Sequence, residues 1–316
     1  MLKLNSMLKT NVSLKDFSNY KIGGLAAYFL EVTSKNDLVN GLEEWDKLNL
    51  NKKIFILGGG TNILIDDKGF DGLVIHNNVK WIERSDENII AGSGMLVSEI
   101  NKFAIDNSLS GFEWSGGLPG TIGGAVRGNA GAFGGEIKDS VIEVESISLD
   151  SEEKKKRNNM QCNFNYRNSI FKNEANMEMI LTVTLGLKVG DSVQIIKETK
   201  EKINYRNEKH PMEFPNIGST FKNVNVKDVP DNLKEQLMQY VKNDPFPVIP
   251  VAKLLFLCGI KGKREGDAQI SEKHPNFIVN LDNAKYEDVI KLIKFAKEAV
   301  KEKFDITLEE EIMYLN

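Results

Sequence analysis

The chain has 316 residues, 41% of them hydrophobic and 27% charged, a composition typical of a folded protein that buries a large core without disulfide bonds. Its net charge of −4 disfavours a general nucleic-acid-binding protein, and two cysteines with three scattered histidines disfavour a disulfide framework or a zinc site. No stretch approaches the ~18 apolar residues of a membrane span. We therefore expect a cytoplasmic protein without metal, nucleic acid or membrane partners.

The predicted elements mix helices and strands. Ser34 and Asp37 resemble a capping box that opens an amphipathic helix. Strands are predicted at residues 53–57, 73–76, 88–95, 141–149 and 179–187, and further helices at 97–107, 192–206 and 287–304. The last helix has an apolar stripe formed by Val289, Ile290, Ile293, Ala296, Val300 and Phe304. We interpret the charged run 152–157 as a hairpin tip and the proline-containing segment 244–250 as a loop.

Nine of the 26 glycines fall within residues 116–136. Hydrophobic residues between these glycines favour an ordered backbone over a flexible linker. A second glycine-rich segment, Gly58–Gly60, follows a predicted strand. The segment that begins at Gly58 matches neither a GxGxxG fingerprint nor a P-loop, but glycine allows close approach and exposed amides can bind phosphate. The pair predicts a pyrophosphate held between two subdomains.

Together with four other segments, these two resemble the family of UDP-N-acetylenolpyruvoylglucosamine reductases, in the shorter of its two branches. The matching segments, in the family's order, are Tyr20–Gly24, Gly58–Ile75, Gly117–Gly131, Tyr166–Ser169, Gly218–Asn223 and Leu308–Ile312. The similarity runs from about Asp16 to Ile312. Six segments in one order are stronger evidence than any segment alone.

The resemblance implies an α+β fold with a two-subdomain FAD-binding region of the vanillyl-alcohol oxidase (PCMH) type and a smaller α+β substrate-binding domain. The implied domains are residues 1–78 with a C-terminal strand at 305–316, residues 79–205, and residues 206–304. It further implies non-covalent FAD, NADPH as electron donor, and UDP-N-acetylglucosamine enolpyruvate as substrate in peptidoglycan precursor synthesis. The residues expected to bind FAD are Gly58, Gly59, Gly60, Thr61, Asn62, Gly117, Pro119, Gly120, Thr121, Gly123, Gly124, Asn129 and Gly131.

By position in these motifs, the family's catalytic arginine corresponds to Arg167, its proton-donating serine to Ser219 and its catalytic glutamate to Glu311. Glu309 and Glu310 adjoin Glu311, and Met313 and Tyr314 replace the usual basic residue, so the choice among the three glutamates stays open. The residues expected to bind the substrate are Tyr166, Arg206, Lys209, Lys222 and Asn223. The oligomeric state and the role of the lengthened segment 224–250 also stay open.

Two other functions are compatible with glycine-rich loops. A flavin oxidase with the same FAD domain would often tether its flavin through His or Cys, and neither residue occurs in 58–65 or 116–136. A non-catalytic flavin- or nucleotide-binding protein would not need Arg167, Ser219 and Glu311 together. Reduction of bound flavin by NADPH separates these alternatives.

Overall fold

The computed structural model describes residues 6–50, 52–172 and 177–316. Its α-helices within these ranges are Lys35–Lys47, Val97–Asp106, Ile122–Gly128, Ser192–Lys209, Asp231–Met238, Val251–Leu257 and Tyr286–Phe304. Contacts divide the described residues into two compact units. Unit 1 comprises residues within 1–12, 26–59 and 70–204, and unit 2 those within 13–25, 60–69 and 205–316. Helices and sheets occur in both units, which confirms the predicted α+β class.

The first sheet of unit 1 has four strands, in the order Leu8–Ser13, Leu25–Val32, Phe70–Asn77 and Ile54–Leu57. Phe70–Asn77 runs parallel to both of its neighbours. Parallel strands need a crossover connection, and helix Lys35–Lys47 provides one. The strands predicted at 53–57 and 73–76 are confirmed, the second being longer.

The predicted capping box at the start of this helix is half right. Ser34 Oγ accepts a hydrogen bond from Asp37 N at 3.2 Å, as expected for an N-terminal cap. The Asp37 carboxylate, however, accepts from N and Oγ1 of Thr33, at 3.0 and 2.6 Å, one residue before the serine. Because the threonine hydroxyl adds a second donor there, the carboxylate satisfies two groups instead of one.

The second sheet of unit 1 is antiparallel, with strands in the order Lys154–Asn158, Val141–Ser148, Glu178–Gly186, Asn88–Gly92 and Ile82–Ser85. Helices Val97–Asp106 and Ile122–Gly128 share one hydrophobic core with this sheet. Two short strand pairs complete the unit: Leu109–Ser110 with Lys188–Val189, and Gly131–Ala132 with Gly135–Glu136. The strand predicted at 88–95 ends at Gly92, where a turn begins with Met95 N donating to Gly92 O at 3.0 Å.

The charged run 152–157 is not only a hairpin tip, as predicted, because Lys154–Asn158 is an edge strand. Alternation along this strand places Lys155 and Arg157 on the face that carries Glu178. Arg157 binds the Glu178 carboxylate through two nitrogens, at 2.7 and 2.8 Å, and Lys155 Nζ lies 3.0 Å from it. The run therefore stabilises the sheet through a partly buried ion pair.

Replacing Glu178 should destabilise the protein in a pH-dependent way. Burial alone would raise the pKa of Glu178, but hydrogen bonds from Arg157, Ser146 and Lys155 outweigh it and lower this pKa to about 2, against an ordinary 4.5. The ionised carboxylate thus contributes stability above pH 4.5 that is lost as pH falls toward 2. Glu178→Gln removes the carboxylate that accepts hydrogen bonds from Arg157 and Lys155, which are partly exposed, so we expect a loss of about 2 kcal/mol at neutral pH.

The measurement is chemical denaturation of wild type and variant between pH 7 and pH 3. The stability difference should shrink as pH falls below 4.5. Glu143→Gln is the matched control, because Glu143 pairs with the exposed Lys156 at 2.8 Å in the same sheet, and surface pairs contribute little. A Glu178→Gln effect that is constant with pH would contradict the prediction.

Unit 2 contains two three-stranded antiparallel sheets and one parallel strand pair. The first sheet has the order Val224–Asn225, Pro247–Ile249 and Lys242–Asn243, and the second Arg264–Glu265, Ala268–Ile270 and Ile278–Asn280. The parallel pair joins Met313–Leu315 to Ile63–Ile65. Segment 244–250 is thus not wholly the predicted loop: Val248 and Ile249 are buried in the central strand, and Pro247 occupies its first position, which tolerates proline.

Helix Tyr286–Phe304 confirms the helix predicted at 287–304, and helix Ser192–Lys209 extends the one predicted at 192–206. The predicted stripe of Tyr286–Phe304 needs one correction, since Leu292 is buried in the core whereas Ile290 is only partly buried.

None of the helices in the described ranges is long and apolar enough to span a membrane. In the same ranges, no group of three His, Cys, Asp or Glu side chains could hold a metal ion.

Candidate active site

Two glycine-rich turns of unit 1 lie with their backbones against each other. A Cβ atom built on Gly59 would lie 3.0 Å from Cα of Gly120, and one built on Gly58 would lie 2.9 Å from Oγ1 of Thr121. These distances are too short for side chains to be added without movement. The glycines of these turns carry no side chains that would cover their main-chain amides, an arrangement that suits a phosphate.

The segment 116–136 is ordered, as predicted, and it contains a helix that was not predicted. Helix Ile122–Gly128 begins after Thr121, whose Oγ1 accepts from Gly124 N at 3.4 Å. Gly123 N donates to Ser93 O at 2.9 Å, and a Cβ on Gly123 would lie 2.9 Å from Cβ of Ser93. Glycine in this helix therefore allows direct packing on a neighbouring backbone.

The turn before this helix depends on glycine for its conformation. Gly117 and Gly120 have φ angles of 71° and 97°, values that other residues disfavour. Pro119 lies between them and has its own φ fixed by its ring. These three residues direct the chain toward the contact between Thr121 and Gly58.

The rest of the first glycine-rich segment belongs to unit 2. Gly60 has a φ of 64°, and a Cβ there would lie 1.9 Å from a main-chain oxygen. Thr61 is half-buried. Asn62 Nδ2 donates to Glu311 O at 3.1 Å, and Asn62 O accepts from Met313 N at 3.0 Å. Asn62 thus joins this segment to the glutamate motif.

The predicted FAD-binding residues are divided between the two units. Unit 2 contains Gly60, Thr61 and Asn62, and unit 1 contains Gly58, Gly59, Gly117, Pro119, Gly120, Thr121, Gly123, Gly124, Asn129 and Gly131.

Arg167 lies in a tight turn of unit 1. Asn165 and Asn168 exchange two main-chain hydrogen bonds, of 2.9 and 3.1 Å, which leave Tyr166 and Arg167 as the two turn residues. Arg167 has a φ of 54°, in the left-handed region, and its guanidinium carbon lies 5.1 Å from the centre of the Tyr166 ring. Its Nη2 donates to Gly131 O at 2.9 Å. The turn thereby holds the guanidinium against the second glycine-rich segment.

Ser219 lies in a turn of unit 2 that a buried asparagine holds in place. Gly218 before it has a φ of 82°. Asn276 O accepts from Thr220 N at 2.8 Å, and its side chain exchanges hydrogen bonds of 3.0 and 2.9 Å with the main chain of Phe221. Asn276 therefore holds the main chain of Thr220 and Phe221, the two residues that follow the serine.

The serine and glutamate motifs meet in unit 2. Residues 220–222 pair antiparallel with residues 309–311 through a single bridge. Glu311 N donates to Thr220 O at 2.8 Å. Ser219 immediately precedes Thr220, so the structure brings Ser219 and Glu311 to neighbouring positions. Arg167 and Tyr166 belong to unit 1.

The three adjacent glutamates precede the strand Met313–Leu315 and differ in their partners. The Glu309 carboxylate is bound by Lys222. The Glu310 carboxylate lies 2.6 Å from Nζ of Lys297 and accepts from the Tyr314 hydroxyl. Burial and this hydrogen bond raise the pKa of Tyr314. Glu309 and Glu310 thus have identified partners outside the serine turn.

The substrate-binding candidates of unit 2 differ in exposure. Arg206 is buried, and burial lowers its pKa to about 10. Lys209 is exposed and lies 2.5 Å from the Glu208 carboxylate. Asn223 Oδ1 accepts from Val251 N at 3.1 Å. Lys222 binds the Glu309 carboxylate, as described above. Of these four candidates in unit 2, Arg206 is therefore buried, and Lys209, Lys222 and Asn223 each contact a neighbouring group of the protein.

Several residues near the serine turn were not identified from the sequence. His210 and His274 lie with ring centres 5.2 Å apart, and each ring centre is 4.9 Å from that of Phe277. Burial lowers the pKa of both histidines to about 4, so they are neutral at pH 7. Asn216 Oδ1 accepts from Gly218 N at 3.0 Å. No local pattern distinguishes these residues, since their roles come from long-range contacts.

Two family profiles match the chain. Residues 210–315 match the profile described as "UDP-N-acetylenolpyruvoylglucosamine reductase, C-terminal domain", and residues 26–154 match an FAD binding domain.

Similar proteins cover nearly the whole chain. The UDP-N-acetylenolpyruvoylglucosamine reductase from Fervidobacterium nodosum is 36% identical to it, over 96% of this chain and 90% of the relative. The reductase of the same name from Pseudothermotoga lettingae is 37% identical, over 96% of both chains. The crystal structure of the corresponding reductase from Thermus caldophilus matches with a TM-score of 0.74 at 27% identity, over 96% of this chain and 98% of that one.

Proposed function

The chain belongs to the UDP-N-acetylenolpyruvoylglucosamine reductase family and is an FAD-dependent oxidoreductase, and we propose that NADPH is its electron donor and that Arg167, Ser219 and Glu311 act on the substrate. It reduces UDP-N-acetylglucosamine enolpyruvate to UDP-N-acetylmuramate, a precursor of peptidoglycan. The observation that best supports the proposed residues is the main-chain bridge in unit 2 that pairs the segment after Ser219 with the segment that carries Glu311. We assign the reaction to the cytoplasm.

The glycine-rich turns fit the cofactor. The contact of Gly58 and Gly59 with Gly120 and Thr121 has no room for additional side chains, which leaves main-chain amides for the pyrophosphate. We assign FAD binding to Gly58, Gly59, Gly60, Thr61, Asn62, Gly117, Pro119, Gly120, Thr121, Gly123, Gly124 and Gly131. The Asn129 side chain, also expected to bind FAD, is buried and hydrogen-bonded within the protein, and we do not assign it to the cofactor. Bound FAD supplies a hydride carrier between NADPH and the substrate.

The protein's own groups stabilise charge and move a proton. Hydride addition to the terminal carbon of the enolpyruvyl group places negative charge on the adjacent carbon and its carboxylate. Arg167 supplies a fixed cation for that charge because guanidinium stays protonated. Ser219 donates a proton to the carbon, a centre basic enough to take it from a hydroxyl held in position. Glu311 orients the intermediate or returns the proton to the serine.

The remaining substrate contacts are assigned by charge and position. Arg206, Lys209, Lys222 and Asn223 are the proposed ligands of the diphosphate, and Tyr166 adjoins Arg167 in its turn. The proposed domains are residues 1–78 with 305–316, residues 79–205, and residues 206–304. Unit 1 contains two hydrophobic clusters: one lies between the antiparallel sheet and its helices, and the other combines residues of the first sheet with Ile147, Met179 and Leu181 of the antiparallel sheet.

The function is tested by two additions to the purified protein. NADPH should bleach a yellow flavin, and UDP-N-acetylglucosamine enolpyruvate added without oxygen should restore the colour with formation of UDP-N-acetylmuramate. Bleaching that only oxygen reverses would favour a flavin oxidase. A flavin that NADPH does not reduce would favour a non-catalytic flavin-binding protein.

The three glutamates can be separated by substitution. We expect Glu311→Gln to cripple reduction of the enolpyruvyl substrate, because an amide can neither hold nor return a proton. Glu310→Gln is the matched control: its carboxylate is already bound by Lys297 and Tyr314, so its effect should be mild. The measurement is the rate at which substrate reoxidises the reduced flavin. The reverse pattern would move the catalytic assignment to Glu310.

A further inference from the structure

Asn129 ends helix Ile122–Gly128 in the left-handed conformation, with a φ of 42°, and is 0% exposed. Its Nδ2 donates to Asn165 O at 3.0 Å and to Glu136 Oε1 at 3.2 Å. Its Oδ1 accepts from Lys138 N at 3.1 Å. Both polar atoms of the side chain are therefore engaged by the protein, which leaves the amide poorly suited to bind a cofactor.

The hydrogen bond to Asn165 reaches the turn that carries Arg167. The same Asn165 oxygen accepts from Asn168 N, and this bond closes the turn around Tyr166 and Arg167. A φ of 54° is unfavourable for an arginine, and such conformations persist only where the surroundings impose them. Asn129 supplies one of the hydrogen bonds that impose it.

The hydrogen bond to Glu136 connects Asn129 to Gly131, the glycine on which the guanidinium lies. A Cβ built on Gly131 would lie 2.8 Å from Cγ of Glu136 and 3.1 Å from Nη1 of Arg167, so both side chains pack on this glycine. The Glu136 carboxylate is buried and lies 2.5 Å from Lys138 Nζ. Asn129 therefore bonds both to the turn that carries Arg167 and to the glutamate whose side chain lies beside Gly131, the residue whose oxygen accepts from the guanidinium.

We propose that Asn129 is a positioning residue for Arg167 and that its side chain is not a ligand of FAD, an inference that rests on the proposed role of Arg167 in substrate reduction. Loss of its two donated hydrogen bonds lets the turn relax and moves the guanidinium. A displacement of about 1 Å from the reacting geometry is enough to slow a reaction by ~10²-fold. Flavin reduction by NADPH does not use this geometry.

Two variants remove the donors in different ways. Asn129→Asp keeps the shape and the acceptor for Lys138 N but donates nothing. Asn129→Gly removes the side chain while favouring the left-handed backbone, so that a folded variant is obtained even if the aspartate is not tolerated. The matched control is Asn159→Asp, because Asn159 Nδ2 likewise donates to two main-chain oxygens of unit 1, those of Lys138 and Val141, at 2.7 and 2.8 Å.

Rapid mixing separates the two half-reactions of each purified holoenzyme. In both Asn129 variants, reoxidation of the reduced flavin by the enolpyruvyl substrate should slow by ~10²-fold, with wild-type FAD content and wild-type reduction by NADPH. Asn159→Asp should leave both half-reactions unchanged. In an Arg167→Lys background, Asn129→Asp should cause no further slowing, because a residue that acts through Arg167 has nothing left to position.

Loss of FAD from the Asn129 variants would overturn the inference and assign the residue to the cofactor. Equal slowing of both half-reactions, an unchanged second half-reaction, or slowing that adds to that of Arg167→Lys would also overturn it. These outcomes concern Asn129 alone. If wild-type protein itself does not reduce the enolpyruvyl substrate, the proposed function fails, and this inference fails with it.

Discussion

Ser219→Ala is expected to slow reoxidation of the reduced flavin by the enolpyruvyl substrate by about 10² to 10⁴-fold, the usual size of a general-acid contribution. The substitution removes the proposed proton donor and leaves the cofactor untouched. NADPH should therefore reduce the flavin at close to the wild-type rate in single-turnover mixing. Because the defect follows hydride delivery to the flavin, steady-state turnover should fall with the second half-reaction.

Ser219→Cys is the matched control, since a thiol has a lower ordinary pKa than a hydroxyl and can still donate a proton. It should retain more of the second half-reaction than Ser219→Ala does. The turn itself is held by main-chain hydrogen bonds to Asn276, which neither variant removes. If Ser219 only completes a turn, both half-reactions should stay normal; if it supports the fold, FAD content should drop. Equal slowing of the two halves at full FAD occupancy would exclude Ser219 as the acid.

Arg167→Lys should lower turnover by ~10²-fold or more although it keeps the positive charge. An arginine presents a planar fork that can hold a carboxylate by two hydrogen bonds, and a lysine presents a single point charge. One guanidinium nitrogen, Nη2, already donates to Gly131 O, so the group is fixed in orientation before substrate binds. A lysine cannot make that bond and face the substrate with a second donor at a fixed angle.

Steady-state kinetics with varied enolpyruvyl substrate, together with the rate of flavin reduction by NADPH, tests this expectation. Reduction by NADPH should be unaffected. Arg84→Lys is the matched control, because Arg84 is exposed and bonds Asp86 O, within its own hairpin, at 2.6 Å. Near-wild-type turnover of Arg167→Lys would remove Arg167 from the site.

Features that depend on short sequence spans were predictable. The apolar stripe of helix Tyr286–Phe304 repeats over many turns, so its existence and extent could be read directly. The glycine density of 116–136, interrupted by apolar residues, correctly indicated an ordered backbone. The assignment of FAD and of the reaction came from the order of six motifs, because none of Arg167, Ser219 and Glu311 is distinctive by itself.

Features that depend on distant partners were not predictable. The asparagine that fixes the serine turn lies 55 residues beyond Phe221 along the chain. The sequence predicts only a hairpin tip at 152–157, because Glu178, the carboxylate that Lys155 and Arg157 bind, lies in another strand. The sequence leaves the choice among the three glutamates open for the same reason: their backbone pairs with the serine segment through one bridge, and the carboxylates of Glu309 and Glu310 contact Lys222, Lys297 and Tyr314.

The discontinuity of unit 2 has a consequence for synthesis on the ribosome. Tyr20, Ile22 and Leu64 are buried in its core, yet the rest of that core comes from residues beyond 205. At translation rates of about 5 to 20 residues per second, these early segments wait on the order of 10 s for their partners to be made. During that interval unit 1 can fold while apolar residues destined for unit 2 stay uncovered. We therefore expect nascent chains halted near residue 200 to be captured by chaperones through segments 13–25 and 60–69.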